Sequence, residues 1–147
     1  MLACGKKSFM LGAMKFLRLS FIPQSADLAL LVLRLSLGLS MLILHGSYNL
    51  TGFKAKAASF PDPLGLGSQL SLALVTFAEV GCAALLIAGF LTRFASLVLA
   101  FNMSVAFFMV HKAAFSGPNS GELAFLYLTG FVAILLGGSG KFAFERE

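Results

Sequence analysis

Four apolar runs constrain this chain more than any other feature. Each approaches the roughly 20 residues a helix needs to cross about 30 Å of hydrocarbon at about 1.5 Å per residue. They cover about 28–48, 69–91, 94–111 and 122–138. The first follows Ser25 and Asp27, both good helix caps, and contains a single charge, Arg34. The second contains one carboxylate, Glu79, and the third, starting after the Thr92-Arg93 turn, contains Asn102. The fourth opens at Glu122 and stops at Gly137-Gly138-Ser139-Gly140. Such runs are too long for globular strands and lack the alternation of a membrane barrel. A backbone in lipid must satisfy its own polar groups, so the expected fold is an all-α integral membrane four-helix bundle, one domain over 1–147.

Composition agrees. Of 147 residues, 59% are hydrophobic and 12% charged, against about 25% charged in soluble domains. The net charge of +5 is dispersed rather than clustered, which argues against nucleic acid as a partner and leaves membrane lipid. Lys6, Lys7, Lys15, Arg18, Arg93, Lys141 and Arg146 fall on one side of the bundle, and Lys54, Lys56 and Lys112 on the other. Seven against three places both termini in the cytoplasm. Cys4 and Cys82 form no Cys-x-x-Cys pair, so thiol redox chemistry within the chain is not expected.

Two segments outside the spans carry expectations. Within the N-terminal segment 1–25, Ser8 to Ile22 is apolar with Lys15 and Arg18 three apart, as in an amphipathic helix lying along the interface. Those charges, and the lack of a small-residue cleavage site after them, speak against a cleaved signal peptide. Between the first two spans, Phe60-Pro61-Asp62-Pro63-Leu64-Gly65-Leu66-Gly67 forbids a long helix and predicts a structured loop over the outer face.

Polar groups within the runs point to a site. Arg34 lies about 11 Å from the cytoplasmic boundary and Glu79 about 18 Å, a difference of about 7 Å that an arginine can bridge. Pairing them is the cheapest way to keep either in lipid, whether as a reactive pair or as a clamp between helices. Asn102, near the depth of Arg34, is a neutral partner for that pair. His45, Tyr48, His111 and Glu122 gather at the outer ends of the spans. Arg34, Gly38 and His45 share one face of an α-helix, which would line a cavity from His45 down to the charged pair. Asn102 and His111, nine residues apart, are half a turn out of phase and cannot both face it. The plainer alternative puts the histidines at the headgroup boundary and Glu122 on a helix dipole. Two histidines and a carboxylate match a non-haem iron ligand set in kind, yet they come from separate helix ends without ligand spacing, so no metal site is expected. Gly81, Ala83, Ala84, Ala88 and Gly89 imply close packing, in the bundle or at a homodimer seam.

As an ordered set, several motifs carry a resemblance: His45-Gly46, the Phe60–Gly67 loop, Phe77-Ala78-Glu79-Val80, Gly89-Phe90-Leu91-Thr92-Arg93, Met103-Ser104-Val105-Ala106 before His111, and Glu122 to Leu128 with the glycine-rich stop. Together they make the chain, over about Leu28 to Phe144, similar to the DoxX family of bacterial membrane proteins. The resemblance implies a four-helix protein of the bacterial inner membrane, and for some relatives a link to quinone-dependent oxidoreductase systems. Distant relatives that exchange disulfides carry paired cysteines, which this chain lacks.

Three functions compete. In the first, the chain is a quinone-linked component of an oxidoreductase system, with Glu79 and His45 as catalytic proton carriers. Arg34, Glu79, Asn102, His45, His111 and Glu122 are then the residues around the quinone. The sequence shows no flavin, haem or iron–sulfur motif, so electrons would come from a redox partner protein. The second is a carrier or channel for a small polar solute, and the third a scaffold subunit whose polar residues fix helix register. Of the three, the first makes the chain part of an enzyme and the other two do not.

Overall fold

The computed structural model describes residues 23–145 together with Leu17 and Leu19. The interfacial helix expected over Ser8–Ile22 lies outside the described residues apart from those two leucines. Every regular element among the described residues is helical. Ser25, in extended backbone, accepts a hydrogen bond from the Leu28 amide at 3.2 Å and so starts the first span as a true N-cap. Span one runs Ala26–Thr51, span two Ser68–Ala88 and span three Thr92–Val110, each long and apolar enough to cross a membrane. Span four, Glu122–Gly137, is apolar but shorter, with 16 residues or about 24 Å of rise.

Each span packs on the next, and span four closes the ring against span one, giving an antiparallel bundle with both described chain ends at one end. Below, that end is the terminal end and the opposite one the loop end. Met41, Leu86, Leu99, Phe107, Phe131 and Ile134 fill the interior. Outward stand Val32, Ile43, Phe77, Phe101, Leu126 and Leu136, an apolar surface suited to lipid rather than water.

Glycines let span one approach span two closely. A methyl on Gly38 would come within 2.7 Å of the Ile87 side chain, and one on Gly46 within 2.7 Å of the Glu79 carbonyl oxygen. Span two ends at Gly89, whose φ of +72° places it in the left-handed region and lets its amide return to the Leu85 carbonyl at 2.9 Å. The first three spans each contain a π-helical turn: Met41–Gly46, Phe77–Cys82 and Ala106–Val110. A π-turn holds an extra residue, which rotates the following helix face by about 100° relative to an uninterrupted α-helix.

Arg34 ties the terminal end together. Its guanidinium is 1% exposed and donates to the Ser139 carbonyl and, at 3.1 Å, to the Phe142 carbonyl. These oxygens follow the C-terminus of span four, where the helix dipole is negative. Around this contact, Asp27 accepts from the Lys141 amide at 3.1 Å and pairs with the Lys141 ammonium at 3.5 Å. The Glu145 amide reaches the Gly89 carbonyl at 3.1 Å. The expected Arg34–Glu79 pair therefore does not form. Gly89, at the end of span two, lies level with Arg34, and a methyl there would meet the Arg34 Nη2 at 2.8 Å. Span one thus extends about two turns beyond the end of span two, and depths counted from a shared boundary mislead. Arg34→Met, which keeps length and removes the donors, should strand two carbonyls and lower stability by about 1–3 kcal/mol. Unfolding by SDS titration measures this, and an unchanged midpoint would show that the clamp contributes nothing.

Candidate functional site

The helix register places Glu79 opposite Gly46, about 11 residues or roughly 17 Å along the axis from Arg34. The π-turn Phe77–Cys82 carries it, and its side chain is buried, with 5% exposure. Asn49, one turn beyond Gly46, donates from Nδ2 to the Glu79 Oε2 at 2.8 Å. The Asn49 Oδ1 in turn accepts from Lys56 Nζ at 2.9 Å. Lys56 also donates to the Tyr48 carbonyl at 3.0 Å and stands 3.0 Å above the centre of the Tyr48 ring. A half-buried cation thus sits one amide away from a buried carboxyl, joining it to the loop end through side-chain contacts.

Beside Glu79 a cavity of about 390 Å³ opens between spans two and three, beneath the loop that joins spans one and two. Its polar wall is Glu79, Asn49, Ser71 and Asn102; the rest is apolar, with Leu74, Phe77, Val98 and Phe101 on the spans and Phe60, Pro61, Pro63, Leu64 and Leu66 above. The Asn102 side chain stands beside the Glu79 carboxyl as a hydrogen-bonding neighbour, yet its buried Nδ2 makes no bond of normal length among the described residues. This volume and this ratio of apolar wall to a few converging polar groups suit a small-molecule site.

Asp62 holds the roof in place. Its Oδ1 accepts from the Leu66 amide at 2.9 Å and the Ser71 hydroxyl at 2.7 Å, and its Oδ2 from the Gly67 amide at 2.7 Å. The loop is thereby closed on itself and fastened to the first turn of span two, as the prolines and glycines of its sequence predict. The Ser71 hydroxyl, then the Gly67 and other loop amides, hold the Asp62 carboxyl below its usual pKa.

The other predicted site residues are elsewhere. His45 packs edge-on against Tyr127 of span four, ring centres 5.7 Å apart, and does not line the cavity. The π-turn starting at Met41 takes it off the Arg34–Gly38 face, so the shared-face expectation fails. His111 ends span three, where its Nδ1 lies 3.1 Å from the Asn119 carbonyl and orders the loop to span four. Glu122 is exposed in the first turn of span four, where its charge complements the helix dipole. Of the expected set, Glu79 and Asn102 meet in one cavity, whereas Arg34, His45, His111 and Glu122 do not join them. Asn49, Lys56 and Asp62 were not anticipated. The Pro-Asp-Pro sequence is a signal for Asp62, while Asn49 reaches the site through the helical extension of span one to Thr51, and Lys56 through the short helix Phe53–Lys56 that follows it.

The DoxX family pattern matches residues 29–112. The chain belongs to the DoxX family. The matched stretch contains every residue lining the cavity, together with Lys56, Asp62 and Arg34, and stops short of span four and of the Ser139 and Phe142 carbonyls that Arg34 meets. This DoxX protein is also 32% identical over 116 residues to an uncharacterized protein of Haemophilus influenzae, an alignment covering 73% of this chain and 81% of that protein. No solved structure matches it.

Two predictions follow from the geometry of this DoxX protein. Gly46→Ala should force spans one and two apart beside Glu79, destabilising by about 1–3 kcal/mol. The same SDS titration measures that loss, and wild-type stability would mean the helices separate freely there. For Asp62, whose pKa falls on folding, the stabilising contribution is complete above the unfolded value of about 3.9 and is lost as pH falls through the lower folded value. Hydrogen exchange at the Leu66 and Gly67 amides should therefore keep the same protection from pH 7 down to about 5, and lose it in Asp62→Ala at any pH. Equal protection in wild type and variant would remove the carboxylate from the account of the roof.

Proposed function

We propose that this DoxX protein binds a quinone in the cavity beside Glu79 and is the quinone-binding component of an oxidoreductase system in the bacterial inner membrane. The observation carrying this reading is the polar wall: a buried carboxyl and, beside it, a buried amide N–H that makes no hydrogen bond of normal length among the described residues, set in an otherwise apolar cavity. A quinone has an apolar ring with carbonyl oxygens, and those oxygens need donors once they leave water. Asn102 Nδ2 supplies such a donor. Asn49 engages the Glu79 Oε2, so the carboxyl is fixed in orientation and can hold or release a proton beside the ligand. Lys56 places positive charge next to this carboxyl and links it toward the loop end.

A quinone held there supplies a two-electron, two-proton couple, with a redox partner protein as the electron source. With both termini in the cytoplasm, as the basic residues suggest, the cavity lies toward the outer leaflet. The interior between Glu79 and Arg34 is packed solid by Cys82, Leu86 and Leu99, each 0% exposed, which weighs against a path for a polar solute along one chain.

The test is mass spectrometry of the organic extract from protein purified in mild detergent, wild type beside Glu79→Ala. A near-stoichiometric quinone in wild type, lost in a variant that still elutes as a folded species, is the expected result. Wild-type protein free of quinone, even after incubation with added quinone, would refute the reading.

A further inference from the structure

The cavity that holds Glu79 has its polar groups at one side and lipid at the other. Phe77 on span two and Phe101 on span three line it and are also 56% and 60% exposed on the outer surface of the bundle; Leu74, 50% exposed, stands with them. These side chains belong at once to the cavity wall and to the lipid-facing surface, so the cavity opens sideways between spans two and three. Above, the loop fastened by the Asp62 clasp, which ties Leu66, Gly67 and Ser71 together, covers the cavity with Pro61, Leu64 and Leu66, themselves exposed on its outer face. On the inner side, Met103 and Ala78 are buried at 7% and 3% exposure and close the cavity against the core. The side mouth between spans two and three is therefore apolar and faces acyl chains.

We infer that the occupant is an amphiphile that enters from the lipid and keeps a long apolar tail in the mouth, between Phe77 and Phe101, with its head at Glu79 and Asn102. This rests on the quinone reading and narrows it to quinones carrying a polyprenyl tail. A head alone satisfies Asn102 and Glu79 but leaves the aromatic mouth to lipid chains. A tailed molecule covers both parts, and the tail's contacts with Leu74, Phe77 and Phe101 contribute to binding beyond simple partition into the membrane.

The chain has no Trp, so one tryptophan reports on one place. Phe101→Trp puts the fluorophore at the mouth. Leu126→Trp puts it on exposed span four, next to Tyr127, which contacts His45 and so marks a similar depth; Leu126 is not part of the cavity. Both proteins are placed in phosphatidylcholine nanodiscs and titrated with the same benzoquinone ring, bare or carrying two isoprenyl units, with concentrations expressed as mole fraction in the lipid. The tailed quinone should quench Phe101→Trp saturably, with half-saturation at a mole fraction about tenfold below that of the bare ring. Leu126→Trp should show only the linear quenching of random encounter with either compound. Mass spectrometry of the Phe101→Trp extract checks that it retains quinone as wild type does.

Equal half-saturation for the bare and tailed rings overturns the tail inference while leaving the head site in place. Purely linear quenching of Phe101→Trp, in a protein whose extract contains stoichiometric quinone, also overturns it, because the ligand is then bound away from this mouth. If the wild-type extract contains no quinone and neither compound saturates, the underlying quinone reading fails and the tail inference falls with it.

Discussion

The register of span one against span two decides what this chain can do. Gly38 and Gly46 allow the two backbones to approach until a single added methyl would strike Ile87 or the Glu79 carbonyl. That contact is unforgiving, because backbone cannot move aside as the end of a side chain can. Once set, it puts Glu79 beside Asn49 and puts Arg34 level with Gly89. The two charges buried in the first two spans are kept apart by the packing, and each must find other partners.

Their partners differ in kind. Arg34 meets carbonyl oxygens at the end of span four, where a cation is favoured, and the chain after that helix folds back to enclose it. That solution is mechanical: it joins the ends of spans one, two and four at one point. Glu79 meets neutral amides, Asn49 at 2.8 Å and Asn102 beside it, with a lysine beyond Asn49, and adjoins open space lined by phenylalanine and leucine.

Much of this architecture was legible from sequence because it follows from hydropathy over long windows. Four apolar runs, the Ser25 cap, the Gly89 turn and the glycine stop after span four leave little freedom in a medium that demands closed backbone hydrogen bonding. Glu79 and Asn102 were legible for the same reason, being costly in lipid. The contacts between polar groups were not legible, for two physical causes. The spans do not begin and end at common levels, so depth counted along Arg34 and Glu79 from the ends of their runs predicted a pair that the register forbids. The π-turns in three spans, which no 3.6-residue periodicity reveals, rotate His45 toward Tyr127 and leave Glu79 facing the cavity.

The π-turns of spans one and two, the Asn102 amide and the buried carboxyl occur at one level of the bundle, and their coincidence bears on function. A bundle needing only stability would gain by replacing Glu79 and Asn102 with apolar side chains that fill the space, since a buried polar pair without full hydrogen bonding is less stable than packed hydrocarbon. Replacing Arg34 would instead undo the terminal end, because its Nη1 and Nη2, though not its Nε, are engaged with carbonyls that would otherwise be bare. By that contrast, Arg34 is explained by the fold, whereas Glu79 and Asn102 are not. The ligand proposed above would supply an acceptor for the Asn102 amide and apolar surface for the wall between Leu74 and Phe101, which the fold by itself does not.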